Sequence, residues 1–421
     1  MTSSHDGISR RSVLKGASAA AAAATFGFPA IVRAQSATSI KLGIPTILSG
    51  RVAQLGISST NAVKMAVDEF NAAGGLDGRM IELLIRDTKA KPEEAARVVR
   101  DFINSEGVDV VFNCEASSAS FAVQEVVREA GTFCTHCCSE TSSLSADPAI
   151  HSENSFRFAR QGIHDAVASA TYAAEMGKKK GIKKWMAVSP DYAYGRDSVE
   201  QFFNVLQQVD PEAEIVGYGW PKLFEPDYTQ IITQVLQKQP DAVYSALWGG
   251  DLVSFIDQGA LYGLFSGIEF FGINLADYTT MSAVRELPEG LHSGTRYIAA
   301  FPDTEANHAF DAAYHERWGD HPTNWAWQSA AGIDFLIAAI KETGSTDSGA
   351  LAEAMRGMKR PSPFGADGTL TMRAEDQTVV NYALGWGTTV PKEPFLIDIA
   401  STDWSTVYEF ETAWKKSQGY I

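Results

Sequence analysis

The stretch "NAAGGLDGRMIELLIRDTKAKPEEA", Asn71 to Ala95, decides the architecture. It closes an amphipathic segment running from about Ser59, in which Ala62, Met65, Ala66, Glu69 and Phe70 recur at helical spacing. Gly74-Gly75 then stop that helix, because glycine readily takes the left-handed conformation that ends one. Ile81 to Arg86 reads as a strand. Pro92 sits where a helix start tolerates a missing N–H, with Glu93 and Glu94 in the first turn to complement the helix dipole. Helix, strand and helix in such close succession are the unit from which parallel sheets are built.

Working outward, the pattern continues on both sides. Ser39 to Ile47 reads as a preceding strand. After the helix from Pro92 to about Ser105 come strand Val108–Asn113, helix Ser117–Ala130 and strand Thr132–His136. A second series starts near Gly162. Its helices are expected at 163–176, 195–207, 227–238 and 251–261, and its strands at 184–189, 213–219, 242–247 and 269–273. Helices near 305–318 and 325–342 read as a return to the first unit, and strands around 379–386 and 405–409 as additions to the second. The two series share element order but no sequence repeat. Gly-rich phosphate loops and dinucleotide fingerprints are missing from the strand ends.

The N-terminus points to export. Ser9-Arg10-Arg11-Ser12-Val13-Leu14-Lys15 is a twin-arginine pattern, followed by an Ala-rich apolar stretch and by Val32-Arg33-Ala34, a small-x-small cleavage site. Residues 1–34 therefore read as a signal peptide. Its apolar part is too short for a membrane span of about 20 residues. The formal net charge of −16 argues against nucleic acid and anionic membrane as partners, and 45% hydrophobic content excludes disorder. Four cysteines in 421 residues are no disulfide scaffold, so the fold must stand on its core.

Four segments in order carry a family resemblance: "IKLGIPTILSG" at 40–50 with Gly56 beyond it, the Asn71–Ala95 stretch, "DYAYGRD" at 191–197 and "QKQPDAVYSALWGGD" at 237–251. Together they resemble the periplasmic solute-binding proteins of the leucine/isoleucine/valine type, which feed ABC importers. The resemblance implies an α/β fold of two doubly wound Rossmann-like lobes joined by a three-crossing hinge, the type I periplasmic-binding-protein arrangement. It places the N-terminal lobe at 38–159 plus 300–367, the C-terminal lobe at 160–299 plus 368–421, and the crossings near 158–162, 296–302 and 366–371. It further implies a small-molecule ligand, no cofactor, no metal and no catalysis. The expected partner is an ABC permease of the inner membrane, and the expected state a periplasmic monomer.

Carried over residue by residue, the resemblance draws a cleft. Arg51 and Leu55 form one loop of it, Arg51 standing where relatives often have proline and Leu55 where they often have an aromatic. In "CEASSAS", Ala116, Ser117 and Ser118 precede a helix whose free N–H groups suit a ligand oxygen, while ordinary capping by either serine would explain them equally. In "CTHCCSETSSL", at 134–144, Cys138, Ser139 and Glu140 form the next loop. Tyr194, Trp248 and Asn274 come from the second unit, with lobe packing as the plainer role of the two aromatics.

Two of these positions depart from the family. Glu140 replaces a hydroxyl residue that usually meets the α-carboxylate, and Asn274 replaces the carboxylate that usually holds the ammonium. A carboxylate facing a carboxylate repels. An amide, a urea-like solute or an aromatic acid therefore competes with an amino acid as ligand.

The cysteine-rich segment allows other chemistry. An exported thiol or zinc protein using Cys134, His136 and Cys137 is the sharpest rival, although adjacent cysteines chelate poorly and no second C-x-x-C pair closes a tetrahedral site. A disulfide from Cys114 to Cys137 or Cys138 is the plainer expectation. A hydrolase drawn from His164, Asp191 and a serine lacks any nucleophile elbow.

Overall fold

Strand β1 (Ile40–Thr46) buries Leu42 and Ile44 completely and pairs in parallel with β2 (Ile81–Asp87) on one side and β3 (Val110–Asn113) on the other. Helices α1 (Ala53–Ala72), α2 (Pro92–Asp101) and α3 (Ser117–Ala130) make the crossovers. Strand β4 (Phe133–His136), the short helix α4 (Ser143–Ala146) and β5 (Ser155–Arg157) complete a five-stranded parallel sheet of order β2-β1-β3-β4-β5. Its inner strands β3 and β4 are buried along their whole length and β1 at every residue but Lys41, as a parallel sheet covered on both faces requires. The computed structural model describes residues Ser39–Ile421, so the twin-arginine segment lies outside the described residues.

A second sheet is built the same way. Helix α5 (Gly162–Lys180) leads to β6 (Lys184–Val188), α6 (Ala193–Val209), β7 (Glu214–Gly219), α7 (Thr229–Lys238) and β8 (Ala242–Ser245). Then come α8 (Gly249–Leu261), β9 (Glu269–Ala276), the short α9 (Tyr278–Met281) and β10 (His292–Thr295). The chain turns back through α10 (Glu305–Trp318), α11 (Asn324–Thr343) and α12 (Ser348–Met355), of which α10 and α11 pack on α1 and α12 on β4. A small antiparallel sheet of β11 (Lys359–Pro361), β12 (Thr369–Met372) and β13 (Val379–Val380) follows. Strands β14 (Gly385–Thr389) and β15 (Leu396–Ser401) then join the second sheet antiparallel, giving the order β15-β14-β10-β9-β8-β6-β7, and α13 (Trp404–Ser417) ends the chain.

Aromatic packing fixes this second sheet against its helices. Trp185 on β6 is fully buried between Phe202 and Phe271, and Tyr244 on β8 lies flat on Phe202 with ring centroids 3.7 Å apart. Such stacked pairs add about 0.5–1.5 kcal/mol beyond the area they bury.

The structure corrects three expectations. Residues 405–409 are helix, not strand: Thr406, Val407 and Tyr408 have strand-forming side chains, yet burial falls on Val407 and Glu411, four residues apart. The stretch near 366–371 is not a passage between sheets, because β12 is hydrogen-bonded back to β11 as a hairpin. The chain leaves the seven-stranded sheet after Thr295 and returns to it only at Gly385. Helix α1 starts at Ala53, a turn and a half before the expected Ser59.

One glycine positions the cleft loop between β6 and α6. A Cβ on Gly195 would lie 1.9 Å from the Pro190 carbonyl oxygen, so the turn carrying Tyr192 and Tyr194 closes only around glycine. Gly195→Ala should cost about 1–3 kcal/mol by forcing that turn open, seen as a lower midpoint in thermal unfolding. An unchanged midpoint would contradict this packing.

Candidate functional site

The C-terminal ends of the parallel strands of both sheets face one cleft, the usual place for ligands in open α/β sheets. From the first sheet come Leu55, Ala116, Ser117, Cys138 and Glu140; from the second come Tyr192, Tyr194, Trp248, Asn274, Asp277 and Arg296. Asn324 and Trp325, at the start of α11, close it from a third side. The cavity left between them is small, about 30 Å³, so the walls lie close together in this structure.

Helix α3 points its N-terminus into this space. Its N-cap, Ala116, has no side chain to offer, so the first N–H groups of the helix stay without intrahelical partners. Ser117 is buried, and its Oγ accepts from the Thr141 N–H at 3.3 Å, which ties the β3 loop to the β4 loop.

The opposite wall is aromatic. Trp248 stacks on Trp325 with centroids 6.1 Å apart, and Tyr192 touches both Tyr194 and Trp248. The buried Trp248 Nε1–H has no acceptor among the described residues. Asn274 is a brace here: its Nδ2 donates to the Leu247 carbonyl at 2.9 Å and to Tyr194 Oη at 3.4 Å. Burial, and then Glu140, push the Tyr194 hydroxyl well above its ordinary pKa, so it stays protonated and able to donate.

Beneath the cleft lies a buried ion cluster. Arg296 gives Nη2 to Glu140 Oε1 and Nη1 to Asp165 Oδ2 at 2.7 Å, and Asp165 in turn is held by Arg160. Asn324 Nδ2 also donates to Glu140 Oε1, at 2.7 Å. Burial alone would raise the Asp165 carboxyl, but Arg160 and Arg296 hold it below its ordinary value. Burial opposes the charge of Arg296 too, and Glu140 and Asp165 overcome it. Asp277 links α9 to α11: its Oδ1 caps Thr279 and its Oδ2 accepts from the Asn324 N–H at 2.7 Å.

Of the expected residues, Leu55, Ala116, Ser117, Cys138, Glu140, Tyr194, Trp248 and Asn274 border the cleft. Ser118 and Ser139 lie beside it and do not border it. Arg51 sits at its edge and reaches across to α8, donating to the Gly250 carbonyl at 2.9 Å and near Asp251 at 3.8 Å. A Cβ on Gly249 would come within 2.9 Å of Val52, so glycine there lets α8 approach the β1 loop closely. Tyr192, Asp277, Arg296, Asn324 and Trp325 were not singled out from the sequence. Tyr192 stands inside the quoted "DYAYGRD", Arg296 opens the expected crossing near 296–302 and Trp325 the expected helix at 325–342, but none of these signals pointed to a role in the cleft.

The cysteines serve the core. All four are free and buried, and the Cys114–Cys137 bond left open by the sequence is not formed; Cys114 and Cys138 instead lie 3.8 and 3.9 Å from Ser329 Oγ. Burial raises the thiol pKa values of Cys134, Cys137 and Cys138, the reverse of what a reactive thiol needs. At Cys114 burial is outweighed by hydrogen bonds from Cys137, Cys138, Ser59 and Ser329, which hold that thiol below its ordinary value although it is fully buried. His136 is engaged by Asn113 and Gln124 at 2.8 Å each, and burial, with a smaller push from Arg157, lowers its pKa to about 3. No group of three or more His, Cys, Asp or Glu side chains placed to hold a metal occurs among the described residues.

Comparison with known proteins agrees with this architecture. A family model described as periplasmic binding protein matches residues 39–384, and the chain belongs to that family. A Leu/Ile/Val-binding protein homolog of Brucella abortus is 24% identical over 343 residues, covering 78% of this chain and 84% of that protein. Among solved structures, a solute-binding protein of an ABC transporter from Rhodopseudomonas palustris, in complex with 3,4-dihydroxybenzoic acid, superposes with a TM-score of 0.78 at 25% identity, covering 87% of this chain and 97% of that one. A branched-chain amino acid transporter substrate-binding protein from Streptococcus pneumoniae, in complex with isoleucine, shares the fold with a TM-score of 0.74 at 19% identity, covering 86% and 99%.

Two measurements follow from the buried charges. Arg296→Met strands Glu140 and Asp165 without their shared partner and should cost about 3–5 kcal/mol in unfolding experiments; a near-neutral change would contradict the cluster. Glu115 lies buried beside the cleft loop, where desolvation, partly offset by the Thr88 hydroxyl, raises its pKa from 4.5 to about 8. The folded state thus keeps a proton that the unfolded state releases, and this contribution to stability is lost as pH rises from about 4.5 through 8. Glu115→Gln should therefore unfold at an increasingly higher temperature than the parent across that range. A constant difference would contradict the shift.

Proposed function

We propose that this periplasmic binding protein is the extracytoplasmic solute-binding subunit of an ABC importer. On this reading it captures a small polar solute (an amino acid, a short amide or an aromatic acid) between two hinged lobes, without making or breaking a bond. The observation that carries it is the cleft itself: polar and aromatic groups from the strand ends of two separate sheets converge on one space. A solute touching both walls stabilises the closed arrangement over the open one, which is the signal a permease of the inner membrane can read.

Further features support the reading. The twin-arginine segment fits export to the periplasm, and the acidic chain fits a soluble carrier with no affinity for anionic surfaces. On this reading the lobes move about the connections after Arg157, after Thr295 and before Gly385, where the chain leaves or re-enters one of the two sheets. Arg51 then acts as an edge latch, since its bonds to Gly250 and Ser254 exist only when the walls meet.

The relatives' ligands set the panel to be tried: branched-chain amino acids, aromatic acids and short amides, added to the purified chain freed of residues 1–34. One class should raise the melting temperature, by about 2.7 kcal/mol of stabilisation at a hundred times its dissociation constant. Trp248→Ala should remove most of that shift. Conversion of the solute to a product, or no shift with any class, would overturn the reading.

A further inference from the structure

We infer that the cleft selects a neutral carboxamide or urea over the corresponding carboxylate, with Glu140 as the residue that discriminates. This rests on the solute-capture reading above and names the chemical class of its ligand.

The Glu140 carboxylate is engaged through one oxygen only. Arg296 and Asn324 both donate to Oε1. Among the described residues no donor reaches Oε2, although the side chain is only about 6% exposed and borders the cleft. An unpaired carboxylate oxygen on a side chain that borders the cleft can accept a donor from whatever fills it.

The neighbouring group asks for the opposite. The loop carrying Glu140 is tied to Ser117 through the Thr141 N–H, and Glu140 borders the same small cleft as Ala116 and Ser117 at the uncapped N-terminus of α3. That terminus offers N–H donors and favours an oxygen. An acceptor oxygen and an N–H donor side by side on one planar carbon is the edge of a primary amide or a urea. A carboxylate satisfies the α3 N–H groups but brings a second negative oxygen against Glu140.

Arg296 does not rescue the carboxylate. One of its terminal nitrogens is given to Asp165 and the other to Glu140, while its Nε is covered and out of reach of the cleft. The cleft is bordered by two acids, Glu140 and Asp277, and by that single guanidinium. Trp248, Trp325 and Tyr194 are left to pack on the flat remainder of the ligand.

Titration calorimetry at neutral pH with matched pairs, acetamide against acetate and benzamide against benzoate, with leucine alongside, tests this. In the parent protein an amide should bind at least about tenfold more tightly than its acid, because a site built around an acceptor rejects a ligand without the donor. Glu140→Gln, which offers an N–H in place of Oε2, should bring the pair within about threefold, chiefly by gaining the acid. An acid or leucine bound by the parent as tightly as the amides would overturn the selectivity and leave solute capture standing. If no amide, acid or amino acid binds, solute capture itself falls and the selectivity with it. The parent's ranking needs no variant to fold, so the comparison decides even where Glu140→Gln is unstable.

Discussion

Arg296 ties the two halves of the molecule together beneath the cleft in this arrangement. Its guanidinium joins Glu140, at the end of a strand in the five-stranded sheet, to Asp165 on the first helix of the second series. Both pairs are buried, so each charge depends on the others for the stabilisation that water would otherwise supply. A buried cluster of this kind is weak evidence for net stability, since its desolvation offsets much of its attraction. What it does fix is position: three charged groups from distant parts of the chain have one arrangement in which all are satisfied, and that arrangement sets the floor of the cleft.

The walls follow from more ordinary packing. Parallel strands buried on both faces aim their C-terminal ends, with their loops, at the same space. Glycine at 249 lets α8 come close to the β1 loop, and Arg51 bridges the two at the edge. On the side of the second sheet, Tyr192 packs on Tyr194 and Trp248, and Asn274 holds Tyr194 in place, so that wall is preorganised before any solute arrives. Preorganisation reduces the ordering cost of binding.

Much of this was legible in the sequence, for identifiable reasons. Gly74-Gly75, Pro92 and the alternation of short apolar runs with amphipathic segments specify local structure, and local structure of that kind has few ways to assemble. The loops at 116–118 and 138–140 could be found because they directly follow strands. Arg296 could not: it follows a short strand with no periodic signal, and its partner Glu140 is 156 residues away. Asp277 and Asn324 share that difficulty, for each gains meaning only from the fold that brings it to the cleft. Glu140 looked like an obstacle to any carboxylate ligand when read alone. In the structure one of its oxygens is satisfied by Arg296 and Asn324 and the other remains for a partner. The helix at 404–417 was hard to read because its β-branched and aromatic residues suit a strand equally, and the β11–β12 hairpin because its pairing has no periodic signal in Lys359–Pro361.

The central claim is mechanical: a bound solute holds two lobes together. Small-angle X-ray scattering of the chain freed of residues 1–34, with and without a saturating solute identified by calorimetry, tests it most directly. The account predicts a smaller radius of gyration in the loaded state and a return to the larger value when the solute is removed. The same radius in both states, at a solute concentration where binding is complete, would contradict it.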